Sequence, residues 1–251
     1  MTTRSPTKDG RRPRVVGVIM SQTDLDLAIR MRERPDLFEL RLDHLVSPPS
    51  VAAATYGAAG IVDELKEKMS KLRAPLIVTA RHPQEGGANQ LNLRERRDLL
   101  SRFLPHARYI DIELRSAAAL QSLCKLARKK KVRRIISFHD LKATPNLARL
   151  QIKARRAKSL GADIFKVATR TDTPAQLARL LDFITKKDPD LAVSAMGIGK
   201  LGAISRVLLA YRGSALVYGS VAATSDIEGQ MSLEQLRTFG IGSRTRVFGL
   251  S

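Results

Sequence analysis

Short apolar runs rich in β-branched residues recur along the chain, and longer amphipathic stretches separate them. The runs have the length and composition of buried strands, whereas the stretches repeat apolar residues with helical spacing. The predicted strands cover residues 14–20, 37–42, 74–80, 108–114, 134–138, 163–168, 191–195 and 215–218. The clearest predicted helices cover residues 93–104, 117–131, 146–160 and 173–187.

The alternation of strands and helices predicts an α/β fold with a parallel sheet and right-handed crossovers. Eight such units in 251 residues match the size of a single (β/α)8 TIM barrel. A doubly wound open sheet is the second arrangement that this pattern allows. Because no linker or low-complexity segment divides the chain, we expect one barrel domain over residues 14–251 after a disordered basic tail over residues 1–13.

Composition narrows the class of protein. Hydrophobic residues make up 43% of the chain, which is enough for a sizeable core. No apolar run reaches the roughly 18 residues of a membrane span, and the polar N-terminal segment has no apolar region typical of a secretory signal. A single cysteine, Cys124, and four scattered histidines argue against disulfides and a zinc site. We therefore expect a cytoplasmic protein without a metal.

The formal net charge of +20 raises the question of nucleic-acid binding. Aromatic residues are only 4% of the chain, tryptophan is absent, and no aromatic residues alternate with basic ones as base-stacking modules require. We therefore expect no nucleic-acid partner and interpret the basic residues as solvated helix faces. Electrostatic attraction of a small anionic substrate is a further reading, and an added nucleic-acid-binding role stays as an alternative.

Ionisable residues cluster at the predicted carboxyl ends of the strands, where barrels carry their chemistry. Lys166 lies within the apolar sixth strand, and His139 ends the fifth. A lysine that is desolvated beside other cations becomes a nucleophile toward carbonyls, and a histidine transfers protons near neutral pH. Together with Arg41, Arg81 and Arg206, these residues predict Schiff-base chemistry on a small anion.

The turn after the seventh strand contains the pattern G-x-G-x-x-G at Gly197, Gly199 and Gly202. A dinucleotide site would require an acidic residue about 20 positions further on, at the end of the next strand. That strand instead ends in Tyr218-Gly219-Ser220. We therefore expect no nucleotide cofactor, and we expect the backbone amides of this turn to face an anion.

Several of these segments, taken in order, resemble the motifs of the type I 3-dehydroquinate dehydratase family. Residues 39–43 resemble its E-x-R-x-D, residues 79–87 its T-x-R-x-x-x-E-G-G, and residues 137–140 its S-x-H-D. Lys166 lies at the position of the family's Schiff-base lysine. Residues 196–206 resemble the motif that begins with Met-Gly and ends with Ser-Arg, and Gly229-Gln230 resembles the end of S/T-A-P-G-Q. The resemblance covers residues 15–236.

This resemblance implies a lyase of the shikimate pathway, toward chorismate and the aromatic amino acids. It would convert 3-dehydroquinate into 3-dehydroshikimate and water without a metal or organic cofactor. Lys166 would form an iminium with the ring ketone, and His139 would act as general acid and base with Glu85 as its partner. Because members of the family are often dimers, the resemblance leaves a homodimer open.

The resemblance also implies a set of substrate-binding residues. Arg206 would hold the carboxylate, because a guanidinium can bind two oxygens at once. Glu39, Arg41 and Arg81 would bind the ring hydroxyls, and Gln230 would close over the substrate from the last loop.

The last loop departs from the family pattern, since residues 225–230 read S-D-I-E-G-Q. Asp226 lies where a hydroxyl is expected, and Glu228 adds a second carboxylate. Two extra negative charges are expected to weaken the binding of an anion unless they point outward. A different class I lyase, such as a Schiff-base aldolase of the same fold, is the alternative reading, and it predicts a phosphorylated substrate.

Overall fold

Eight parallel strands form one sheet in the order β7-β6-β5-β4-β3-β2-β1-β8 in the computed structural model, which describes residues 12–46, 53–225 and 227–242. The strands are β1 (Arg14–Ile19), β2 (Leu37–Arg41), β3 (Leu76–Thr79), β4 (Tyr109–Glu113), β5 (Arg133–Asp140), β6 (Ile164–Arg170), β7 (Ala192–Ile198) and β8 (Leu216–Ser220). The edges β7 and β8 meet where the Ala215 amide donates to the Val193 carbonyl at 2.8 Å. The predicted TIM barrel is therefore confirmed, and the open sheet is wrong.

Helices follow the strands and cover the outside of the barrel. They are α1 (Gln22–Arg30), α2 (Leu42–Leu45), α3 (Ala53–Ser70), α4 (Leu93–Phe103), α5 (Leu114–Ala117), α6 (Gln121–Lys129), α7 (Leu147–Ser159), α8 (Pro174–Thr185), α9 (Gly202–Tyr211) and α10 (Leu233–Thr238). At the start of α8, Thr173 and Gln176 form a capping box, and Pro174 occupies the first helical position. Gly161 follows α7 with a φ of 85°, which favours glycine at this position.

The predicted helix over residues 117–131 is wrong in its extent. The chain forms two shorter helices, α5 and α6, that are separated by a turn at Ala118–Leu120. The turn contains neither glycine nor proline, so the composition gives no sign of the break.

Alternation along the strands divides the core into two layers. Inward-facing residues from seven strands fill the barrel interior: Val16, Leu37, Ile77, Tyr109, Ile135, Ile164 and Leu216. Outward-facing residues such as Phe38, Ile110 and Phe165 pack against helix residues in a larger cluster. Lys166 lies two positions beyond Ile164 on β6 and shares its inward direction, so its side chain projects into the barrel.

Residues 1–11 of the predicted tail lie outside the described residues, whereas Arg12 forms an ion pair with Asp36 at 2.7 Å. Within the described part of the chain, no helix is both long and apolar enough to cross a membrane.

Candidate active site

A cavity of about 230 Å³ opens at the carboxyl ends of the strands. The eight site residues expected from the sequence all line it: Glu39, Arg41, Arg81, Glu85, His139, Lys166, Arg206 and Gln230. The parallel strand pairs explain this convergence, because they bring the carboxyl ends of all strands to one rim of the barrel.

Lys166 lies at the floor of this cavity and is only 4% exposed. Its Nζ donates to Asp111 Oδ2 at 3.0 Å and to Glu39 Oε1 at 3.3 Å. The sequence predicts arginines around this lysine, but its nearest charged neighbours are carboxylates. A buried ammonium requires such partners for its N–H groups.

Arg81 joins the carboxylates beneath the cavity into one network. Its guanidinium donates to both oxygens of Asp111 at 3.1 and 3.0 Å and to Glu113 Oε1 at 3.1 Å. Ser137 Oγ donates to Asp111 Oδ1 at 2.5 Å. Burial alone would raise the pKa of Asp111, but the charges of Arg81 and Lys166 outweigh it and lower that pKa below its usual range. Asp111 is therefore a fixed negative charge beside the lysine.

Arg96 on α4 supports this network from outside the barrel, and sequence reasoning missed it. The side chain is buried, donates from Nε to the Ala80 carbonyl at 2.8 Å and forms an ion pair with Glu113. Its spacing to Leu100 and Phe103 places it on the apolar face of the helix. A charged residue on that face is the signal that could have revealed it.

His139 and Glu85 form a hydrogen-bonded pair at one side of the cavity. Glu85 Oε2 lies 3.0 Å from His139 Nδ1 and accepts a second hydrogen bond from the His139 amide at 3.0 Å. Burial, together with the negative charge of Glu113, raises the pKa of Glu85 to about 7. Burial and the nearby charges of Arg81 and Lys166 lower the pKa of His139 well below its ordinary value. The histidine is therefore neutral, and Glu85 titrates near neutral pH.

Arg41 is held at the rim by Asp43. Its Nε and Nη2 donate to the two carboxylate oxygens of Asp43 at 3.0 and 2.8 Å, and Nη2 also donates to the Gly86 carbonyl at 3.1 Å. Asp43 belongs to the short helix α2 rather than to β2 and is fully buried. The helix begins directly after β2, and its first turn brings the carboxylate against the arginine two residues earlier.

Arg206 on α9 faces the cavity without a carboxylate within 4 Å among the described residues. Its Nη1 instead donates to the backbone carbonyls of Gly197, Gly202 and Gly229 at 2.7–2.9 Å. Burial lowers its pKa to about 10, so the guanidinium remains charged at neutral pH. An uncompensated buried cation of this kind favours a bound anion.

The glycine-rich turn does not present its amides to an anion, and that expectation is wrong. The Gly199 amide donates to the Glu228 carbonyl at 3.0 Å, and the Lys200 amide donates to Asp172 Oδ1 at 2.9 Å. A Cβ at Gly202 would lie 2.9 Å from the Gly229 Cα, so the glycines permit close packing of two loops. The phosphate cradle that would favour an aldolase is therefore not formed by this turn.

Gln230 reaches the cavity from the loop after β8, where Ser225 Oγ donates to its Oε1 at 2.8 Å. Glu228 in the same loop points away from the cavity, pairs with Arg170 Nη1 at 2.8 Å, and is 52% exposed. Its carboxylate therefore does not face a bound anion. Asp226 lies outside the described residues.

Tyr218 and Leu141 also line the cavity, although no sequence pattern selects them. Both are apolar in most of their surface, and Tyr218 resembles an ordinary core residue of a strand.

Comparisons with known proteins point to one family. The family model for type I 3-dehydroquinase matches residues 16–239. The 3-dehydroquinate dehydratase of Methanothermobacter thermautotrophicus is 32% identical over 203 residues, which are 80% of this chain and 82% of that protein. The catabolic 3-dehydroquinate dehydratase of Acinetobacter baylyi is 30% identical over 209 residues, covering 81% and 74%.

Among solved structures, the 3-dehydroquinate dehydratase from Geobacillus kaustophilus superposes with a TM-score of 0.78 at 25% identity. The alignment covers 92% of this chain and 90% of that one. With the family model spanning nearly the whole barrel, the chain belongs to the type I 3-dehydroquinase family.

Proposed function

We propose that this protein converts 3-dehydroquinate into 3-dehydroshikimate and water through a Schiff base on Lys166. The observation that carries the proposal is the convergence of Lys166, the His139–Glu85 pair and the uncompensated Arg206 on one cavity. A nucleophile, a proton-transfer pair and an anion site are what such an elimination requires. The names of its relatives support the same reaction.

The reaction begins at Nζ, which must lose a proton before it attacks the ring ketone. Asp111 and Glu39 accept hydrogen bonds from Nζ, and Glu85, whose pKa burial raises to about 7, is a proton acceptor at the cavity wall. Attack forms a carbinolamine, and loss of its hydroxyl as water leaves the iminium. No metal or organic cofactor is needed in these steps, because the iminium itself accepts electrons.

His139 then removes a proton from the carbon next to the iminium, and the bonding electrons form an enamine. The enamine expels the β-hydroxyl, which takes a proton from His139 and departs as water. Hydrolysis consumes one water, releases the unsaturated ketone and returns Lys166. Condensation and elimination each release a water and hydrolysis uses one, so the net product is one water.

The remaining lining residues fit roles in binding. Arg206 is the best-placed cation for the substrate carboxylate, because its charge has no carboxylate partner among the described residues. Arg41, Arg81 and Glu39 are held at the cavity by their own ion pairs, which supports a role in binding the ring hydroxyls. Gln230 lines the cavity from the loop after β8, which supports a role in closing over the substrate.

Trapping with borohydride tests the proposal directly. The protein is incubated with 3-dehydroquinate and borohydride, and the adduct is mapped by mass spectrometry. We expect a reduced adduct on Lys166, none in Lys166→Ala, and an adduct in His139→Gln with turnover lowered roughly a hundredfold to ten-thousandfold. A wild-type protein that turns over substrate without a mass gain on Lys166 would contradict the Schiff-base mechanism.

A further inference from the structure

Tyr218 on β8 forms part of the cavity wall directly against the reacting nitrogen. It is 3% exposed, and Lys166 Nζ lies 4.0 Å from the centroid of its ring. The face of an aromatic ring carries partial negative charge and attracts a cation at this distance. The ammonium therefore lies between two carboxylates and an aromatic face.

The contacts of Nζ change when the Schiff base forms. An ammonium has three N–H donors and serves both Asp111 and Glu39. A protonated iminium has one N–H, so at most one of those hydrogen bonds survives. Attraction to the ring needs no N–H and is kept, because the nitrogen remains cationic.

If the ring were absent, water could compensate for it in the free ammonium but not in the iminium. Without the ring, an ammonium could turn an N–H toward a water in the vacated space, since ammonium groups are strongly hydrated. The iminium has no second N–H to offer that water. Loss of the ring is thus compensated in the free enzyme and not in the covalent intermediate.

We propose that the aromatic ring of Tyr218 selectively stabilises the iminium on Lys166 and fixes the position of its nitrogen. This inference rests on the proposed function. It adds to the mechanism a residue that contacts the reacting atom without exchanging a proton.

The hydroxyl of Tyr218 is separable from the ring. Its Oη is buried and has no hydrogen-bond partner among the described residues. Burial and the negative charges of Glu39 and Asp111 raise the pKa of Tyr218 well above its ordinary value, so the group stays neutral. Phenylalanine keeps the aromatic face and removes only an unpaired polar atom, and it is the matched control for the ring.

The test compares Tyr218→Leu with Tyr218→Phe in the full-length protein. The readouts are the fraction of Lys166 trapped by borohydride at saturating 3-dehydroquinate, kcat and KM. We expect Tyr218→Leu to lower the trapped fraction and kcat by about tenfold, with a smaller change in KM, as loss of a desolvated cation–π contact predicts. The conservative Tyr218→Phe should keep the trapped fraction and kcat within about twofold of the wild-type values. Tyr218→Met, whose unbranched side chain adapts better to an irregular space, should behave like Tyr218→Leu and serves if that variant does not fold.

Three outcomes separate the possibilities. An adduct fraction in folded Tyr218→Leu or Tyr218→Met equal to that of the wild type would overturn the role of the ring. An equal loss in Tyr218→Phe would overturn it too, because the hydroxyl would then be the active part. Absence of any adduct in a turning-over wild type would instead overturn the Schiff base itself, and so the two failures are distinguishable.

Discussion

The hydrogen bond between Glu85 and His139 determines which nitrogen of the histidine carries the proton and which can act as a base. When Glu85 is ionised, it accepts from Nδ1–H, and Nε2 keeps its lone pair for the substrate. When Glu85 is protonated, it donates to Nδ1, the ring proton moves to Nε2, and the histidine is no longer a base toward the cavity. Burial has raised the pKa of Glu85 to about 7, so this change falls near neutral pH.

We expect kcat/KM to fall as pH is lowered through about 7, because protonation of Glu85 removes the base form of His139. The ordinary pKa of a glutamate would place the fall near 4.3 instead. Glu85→Gln should flatten this limb, because its amide oxygen accepts from Nδ1–H at every pH. The measurement is kcat/KM from about pH 5 to about pH 9 for both proteins. A limb that stays at the same pH in Glu85→Gln would assign it to another group.

Residue types at the site could be predicted from the sequence, but the contacts of Lys166 could not. The cavity unites residues whose motifs are recognisable one by one, such as Lys166 and His139. The carboxylates that touch Nζ come from β4 and β2, and lie 55 and 127 positions away in the chain. No local pattern reports contacts between residues so far apart, so the carboxylates that contact Nζ could not be predicted, although the arginines expected around Lys166 line the same cavity.

Local sequence pattern predicts the positions of the strands but not where they end. All eight strands lie where apolar runs predict them. Strands β5, β6, β7 and β8 extend two or three residues further than predicted, for example through His139 and Asp140 and through Thr169 and Arg170. Most of these added residues are polar or glycine, a composition that is typical of loops.

The contact between α4 and β4 connects the outer layer to the site. Arg96 binds Glu113, and Glu113 in turn accepts from Arg81 and from the His82 amide at 3.0 Å. The helix therefore helps to fix the guanidinium that holds Asp111 beside Lys166. Removing this arginine would leave Glu113 with less compensation and the Ala80 carbonyl without its side-chain donor.

We expect Arg96→Met to lower the free energy of unfolding by about 3–5 kcal/mol, the range for breaking a buried ion pair on one side. Arg94→Met is the matched control, since Arg94 lies on the same helix, is 85% exposed and approaches Asp98 only at 3.9 Å. Its effect should stay within about 0.5 kcal/mol. Urea unfolding of the three proteins measures both values. Equal losses in the two variants would show that burial of Arg96 does not stabilise the fold.

At the scale of the whole molecule, the positive charge is concentrated on one side of the barrel. Residues 121–159, which include α6 and α7, contain thirteen lysines and arginines and one acidic residue, Asp140. Of these cations, only Arg133, Arg134 and Lys158 lie within 4 Å of a carboxylate of the described residues. The other cations are mostly exposed and repel one another, while the charges of the active site are buried and, apart from Arg206, paired.

Salt should therefore stabilise this protein. At 0.1 M salt the Debye length is about 10 Å, so salt screens the repulsion between exposed like charges, whereas it screens buried pairs much less. We expect Tm to rise by several degrees between about 0.02 M and about 0.5 M KCl, because about 1 kcal/mol shifts Tm by roughly 2–4 °C in a chain of this size. Replacing Lys129 and Lys130, both exposed at the end of α6, with glutamine should raise Tm at low salt and reduce the response. Replacing Lys66 and Lys71, which already pair with Asp63 and Glu67, with glutamine should neither raise Tm at low salt nor reduce its response to salt. A Tm that is unchanged or lower in salt would mean that the surface repulsion is compensated elsewhere in the chain.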